Sequence, residues 1–227
     1  AKIGAECSVT SGSRWGERLL VSEADGLQNE LVASSVTDPR DPWDSASVPA
    51  EYAIRGQHSS VLTVRHPEQT IALLTNDLGL TIVDESASRT RLAAGDGSAG
   101  TIVDVIGSSL APDGLGAGGT VHHIAFRVPD HATQAAWREE LVGKGHQVTG
   151  ILDRQYFTSI YFREPGGVLF EIATDTPGFD IDEPLLELGR SLKLPPWLEP
   201  SREQIEHSVA QITLPEENNP ALGAAME

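Results

Sequence analysis

Hydrophobic positions along the chain fall in short runs broken by glycine, proline and small polar residues. Val61-Leu62-Thr63-Val64, Ile124-Ala125-Phe126-Arg127-Val128 and Val168-Leu169-Phe170-Glu171-Ile172 are rich in β-branched and aromatic side chains, the signature of strands. Two longer stretches, Pro67 to Leu78 and His131 to Val142, read instead as helices. In the second, Ala135, Trp137 and Leu141 are among the apolar positions, and Gly143 and Gly145 close it. Pro165-Gly166-Gly167 marks a turn before the last of these runs.

The order of these pieces repeats. Gly26 precedes Glu30 in GLQNELV, Gly100 precedes Asp104 in GTIVDVI, and Gly167 precedes Glu171 in GVLFEIA. Each is a glycine turn feeding a strand with an acid at the same offset. His58 opens one strand much as His123 opens another, 65 positions later. The unit is therefore β-α-β-β-β, roughly 50 to 60 residues long, a length at which repeats signal modular architecture. One copy runs from about Ile54 to Ile106 and a second from about Thr120 to Ala173.

Residues 1 to 32 hold the back half of an earlier copy, with Arg14 to Leu20 as its third strand and Gly26 to Val32 as its last. The opening AKIGAECSVTSG reads as the end of a helix. Four segments follow from this: 1–50, a partial module and linker; 51–117, a complete module; 118–175, a complete module carrying candidate ligands; and 176–227, a tail. The tail is expected to hold an amphipathic helix from Ser201 to Ile212, capped by Ser201. The fold class is α+β, built of tandem βαβββ modules.

The chain has 227 residues and a formal charge of −17. No basic stripe is present to displace counterions from phosphates, which argues against a nucleic-acid partner. Cys7 is the only cysteine, so no disulfide framework exists and a reducing cytoplasm is the expected compartment. No apolar run approaches the ~18 residues of a membrane span, and nothing resembles a signal peptide. A partial module leaves a sheet edge that invites pairing with another chain, a route to a homo-oligomer.

The chemistry concentrates at His122-His123 and at Glu171. A carboxylate inside a buried strand is costly unless it is paired or bound to metal. Two imidazoles and one carboxylate are the ligand types of a non-haem iron(II) site with open positions. Strand alternation sends His122 to the opposite face or edge from His123. For Glu171 the rival reading is a salt bridge to Arg127 or Arg163. Tyr161 alternates with Ile160 and Phe162 and is a candidate hydrogen-bond donor to substrate. Arg154 is a candidate anchor for a phenolate or carboxylate, with a pair to Asp153 as the rival reading. Glu30 and Asp104 share the repeat position of Glu171 and are expected to be structural. His66, His131, His146 and His207 are expected at the solvated surface.

These residues resemble the vicinal oxygen chelate superfamily (glyoxalase, bleomycin resistance protein, extradiol dioxygenase), whose paired βαβββ modules curve their mixed sheets into a cup around a divalent metal. GTVHHIAFRVPD, DRQYFTSIYFREPGGVLFEIATDTPGF and LGRSLKLPPWLEP look like the ring-cleaving dioxygenases of hydroquinones and chlorohydroquinones. The resemblance implies His123 and Glu171 as ligands of iron(II), with manganese(II) the alternative, and a small aromatic compound and O2 as substrates. It implies His122, Tyr161 and Arg154 as the groups that move protons and stabilise oxyanions.

Family members have four modules, and one ligand is a histidine on the first strand of module one, which this chain lacks. Either the chain is a C-terminal portion of the full enzyme, or His58 supplies the third ligand, as the equivalent strand does in catechol-cleaving relatives. A glyoxalase-like isomerase or lyase, and a non-catalytic small-molecule binder, are the other functions the same fold supports.

Overall fold

The computed structural model describes residues 6–10, 17–24, 26–33, 38–42, 48–110, 114, 116 and 119–212. The chain holds two complete β-α-β-β-β units. In the first, β4 (Ser59–Val64) alternates so that Leu62 and Val64 point inward. Helix α1 (Pro67–Asn76) follows, with proline in its first turn, where a missing N–H costs nothing. It buries Thr70, Leu73 and Leu74. Strands β5 (Thr81–Glu85), β6 (Arg89–Ala93) and β7 (Ile102–Gly107) complete the module.

The second module repeats this order with β8 (Ile124–Val128), α2 (His131–Gly143), β9 (Leu152–Asp153), β10 (Thr158–Arg163) and β11 (Leu169–Thr174). Asp130 caps α2, its carboxylate accepting the Thr133 N–H at 2.8 Å. The helix ends where Gly145, at φ +93°, bonds back to Val142 O and His146 N bonds to Leu141 O. That pair of bonds needs a residue in the left-handed region, which glycine enters without steric cost.

Each module is a four-stranded mixed sheet, ordered β4-β7-β6-β5 and β8-β11-β10-β9. The first strand lies parallel to the last, and the remaining pairs are antiparallel. The earlier, partial copy is a three-stranded antiparallel sheet of β1 (Glu6–Thr10), β2 (Glu17–Ser22) and β3 (Gln28–Ala33). Glu6 to Thr10 is thus strand, not the end of a helix: it pairs in register with Arg18 to Ser22, and cross-strand bonds outweigh local preference there. Residues 1–5, and Arg14 to Gly16 of the expected third strand, lie outside the described residues, as does most of Ala111 to Gly118.

The two complete modules share one core. Leu62, Val64, Leu73, Leu74 and Leu92 of the first join Val128, Leu141, Ile160, Phe162, Phe170 and Ile172 of the second in a single buried cluster. Polar contacts cross the same seam: Thr70 Oγ1 donates to Glu164 at 2.6 Å, and His146 Nε2 lies 2.8 Å from Asp77. His146 is therefore an inter-module tie and not a solvated surface group.

Helix α3 spans only Arg202–Ser208, and Ser201 makes no capping bond. A 3-10 turn at Glu199–Ser201 runs directly into it, so the first turn is already ordered, and Val209 turns extended. Trp197, in the tail before this helix, is 61% exposed. Among the described residues no helix is long and apolar enough to cross a membrane.

Candidate metal centre

Sheet β8-β11-β10-β9 has two unlike faces. Phe170, Ile172, Ile160 and Phe162 point into the shared core. The other face presents Glu171, Ser159 and Tyr161, because side chains alternate along each strand. Tyr161 sits directly across from Glu171 in the β10–β11 register, and Ser159 lies two residues before it. Both hydroxyls donate to Glu171 Oε1, Tyr161 at 2.8 Å.

The second carboxylate oxygen faces the histidine pair. His123 Nε2 is 2.6 Å from Glu171 Oε2, and the His123 and Tyr161 rings meet edge to face at 6.0 Å. On the far side of the His123 ring, Nδ1 is 2.8 Å from His122 Nδ1. His122 thus lies beside His123, at the edge of β8 and not across the sheet. Glu171 is buried, and its partners among the described residues are His123, Ser159 and Tyr161. The competing ion pairs do not form: Arg127 binds Asp175 at 2.9 Å, and Arg163 donates to Gly167 O.

Arg154 lies over the Tyr161 ring, its guanidinium carbon 5.4 Å from the ring centre. It belongs to a tight turn in which Gln155 has φ +68° and Tyr156 N bonds Arg154 O. Asp153 accepts the Gln155 N–H in that turn. Phe179, from the start of the tail, stacks on Tyr156 at 5.1 Å, and Tyr156 OH donates to Asp182. The tail therefore braces the turn that carries Arg154.

His58 is elsewhere. It precedes β4 in the first complete module, with Nδ1 3.1 Å from Ser59 Oγ. Burial and the nearby Arg91 and Arg18 guanidiniums hold its imidazole below its usual value. Among the described residues no group of three or more His, Cys, Asp or Glu is placed to hold a metal, so His58 does not join His123 and Glu171. Arg91, Arg18 and Arg40 outnumber Asp104 among the charges that act on His58, a balance unfavourable to a metal ion. The first two copies hold Asp104 and Glu30 in ion pairs. Asp104 binds Arg91 at 2.7 Å and Arg89 at 2.5 Å, and Glu30 binds Arg18 and Arg89.

Two residues escaped the sequence reading. Ser159 has the same alternation phase as Tyr161, and stepping back two positions would have found it. Gln134, fully buried on α2, donates to Thr158 O and Ile172 O at 2.7 Å each and accepts from Thr158 Oγ1. No local pattern distinguishes that glutamine from a surface one.

The comparisons agree with this architecture. Residues 56–172, more than half of the chain, match the model of the Glyoxalase/Bleomycin resistance protein/Dioxygenase superfamily. The chain is 45% identical to the candidate ring-cleaving dioxygenase MhqE of Bacillus subtilis over 87% of its own length and 64% of that protein's. It is 37% identical to the chlorohydroquinone/hydroquinone 1,2-dioxygenase of Sphingobium indicum, covering 85% of this chain and 61% of the relative. It thus spans less than two thirds of these relatives. A crystal structure of a candidate dioxygenase from Bacillus subtilis superposes with a TM-score of 0.82 at 34% identity, covering 93% of this chain and 67% of that one. The chain belongs to the glyoxalase/bleomycin resistance protein/dioxygenase superfamily.

Proposed function

We propose that this chain carries the metal-binding module of an iron(II)-dependent dioxygenase that cleaves hydroquinone-type aromatic rings, with manganese(II) as the alternative metal. The observation that carries the reading is Glu171. It is a buried carboxylate whose Oε2 meets an imidazole nitrogen, while its described partners include no guanidinium or ammonium group. Such a group is costly to bury unless a cation completes it. The similarity to proteins named for ring cleavage supplies the reaction class.

An imidazole and a carboxylate side by side suit a divalent metal, and His123 Nε2 and Glu171 Oε2 would hold it. A third protein donor is not grouped with them among the described residues. The chemistry that bound iron(II) supplies is acidification of a substrate hydroxyl and one-electron reactivity towards O2. With His123 Nε2 given to the metal, its proton must sit on Nδ1 and point at His122 Nδ1. His122 then accepts, keeps its own proton on Nε2, and fixes the His123 ring. Tyr161 OH is a proton donor held against the ligand carboxylate. Arg154 adds a fixed positive charge beside it, suited to a phenolate or a developing carboxylate.

The test is oxygen uptake after anaerobic loading with iron(II), comparing hydroquinone with catechol. Uptake with hydroquinone is expected, lost in His123→Ala and unchanged in His58→Ala. Full uptake in His123→Ala would overturn the site. Uptake confined to catechol would change the substrate class, and turnover that needs no oxygen would replace the dioxygenase with an isomerase.

A further inference from the structure

The three copies of the glycine-to-acid strand share one register, so their surroundings can be compared residue by residue. Directly across from the acid stand Leu20 for Glu30, Arg91 for Asp104 and Tyr161 for Glu171. Two residues before each of these, on the same face of the same strand, stand Arg18, Arg89 and Ser159. All three reach the acid. Arg18 NH1 donates to Glu30 Oε2, Arg89 NH2 donates to Asp104 Oδ2, and Ser159 Oγ donates to Glu171 Oε1.

The position is thus occupied by a cation in two copies and by a neutral hydroxyl in the third. Where it is arginine, the acid is satisfied from within the protein. Asp104 is wholly buried, yet its carboxyl is held below its ordinary value: burial would raise it, and the hydrogen bonds from Arg91 and Arg89 overcome that. Where it is serine, the carboxylate has one oxygen engaged by two hydroxyls and the other left facing His123. A neutral donor orients a carboxylate without cancelling its charge.

We propose that Ser159 is the positioning residue that keeps the third copy open to a metal: its hydroxyl reserves Oε1, leaves Oε2 as the single ligand oxygen, and admits no internal cation. The backbone on either side is fixed for this role. Gln134 ties together the carbonyls of Thr158 and Ile172, the residues next to Ser159 and Glu171. Ser159 itself is fully buried, so its hydroxyl is not exchanged for a water. The assignment rests on the metal-binding reading of His123 and Glu171.

Mn(II) binding by the 227-residue chain, read from the loss of the free-ion electron paramagnetic resonance signal, separates the outcomes. Ser159→Ala should keep the fold and weaken binding by roughly 10- to 100-fold, the range for partners that orient a ligand. Ser159→Thr should restore it. Ser159→Arg, which reproduces the other two copies, should abolish binding while leaving circular dichroism and the urea midpoint close to wild type. If that variant fails to fold, Ser159→Ala decides alone. Wild-type affinity in Ser159→Ala or in a folded Ser159→Arg overturns the proposal while leaving the metal centre intact. A wild-type chain that binds no more Mn(II) than His123→Ala removes the metal reading and this proposal with it.

Discussion

At the scale of single residues, the site depends on which oxygen of Glu171 is left free. Tyr161 contributes one of two hydroxyls on Oε1 and is also a proton donor held against the ligand pair. Tyr161→Phe should therefore retain the metal through the remaining Ser159 bond, yet slow turnover by about 100-fold, the lower end for loss of a proton-transfer group. Metal content and oxygen-uptake rate measured on the same preparation check both halves. His123, Glu171 and Tyr161 were legible in the sequence because repeat phase and strand alternation put them on one face. Spacing along the chain sets His58 against His123. The registers, however, pair Val61 with Asp104 and Ala125 with Glu171, so Ser59 holds the place of His123 and His58 is one residue out of phase. The charges that act on His58 come from Arg91, Arg18 and Asp104 on separate strands.

Secondary-structure elements were legible wherever local rules agreed with pairing. The helices end at Gly145 and begin at Asp130 and Pro67, as capping chemistry requires. The exception at Glu6–Thr10 arose because a five-residue strand draws its stability from its partner and not from its own composition. The seven-residue α3 is likewise too short for propensity to set its limits. Gln134 shows how one side chain joins elements: it links α2 to the open end of the β10–β11 ladder, where Thr158 N bonds Thr174 Oγ1. Gln134→Leu should cost about 1–3 kcal/mol for each carbonyl left without a partner. A lowered urea midpoint, with Mn(II) affinity falling in parallel, is the expected result.

At the scale of the whole molecule, the partial copy is attached to the first complete module by charge. Arg89 bridges Glu30 and Asp104, while Arg18 binds Glu30 and Arg91 binds Asp104. Asp104→Asn removes the buried acid that Arg89 and Arg91 share, each of them about nine-tenths buried, and leaves Arg89 its bond to Glu30. A loss of about 3–5 kcal/mol is expected, as for other broken buried pairs. The pH dependence has a definite sign. A carboxylate whose folded pKa is depressed contributes stability that is fully present above its unfolded value, about 4, and lost as pH falls through the folded one. The wild-type urea midpoint should hold steady from pH 7 to about 5 and fall below about 4, and Asp104→Asn should fall less steeply. Nothing in the linear sequence pairs Arg18 with Asp104, because the charges meet only when the two sheets face one another.

The turn at Gly166 ties the histories of the two complete modules together. A Cβ there would lie 2.6 Å from Val64 Cγ1 and 2.7 Å from the buried Glu164 carboxylate, so the turn entering β11 has no spare volume on that side. Val64 belongs to the other module, on β4. A methyl gained at position 166 is thus a steric problem for position 64, and the strand it would displace is the one that carries Glu171. Although the modules repeat one pattern, neither can vary in size at this seam without the other giving way. Their substitutions there are coupled as those of two partners in a complex are coupled, inside a single chain.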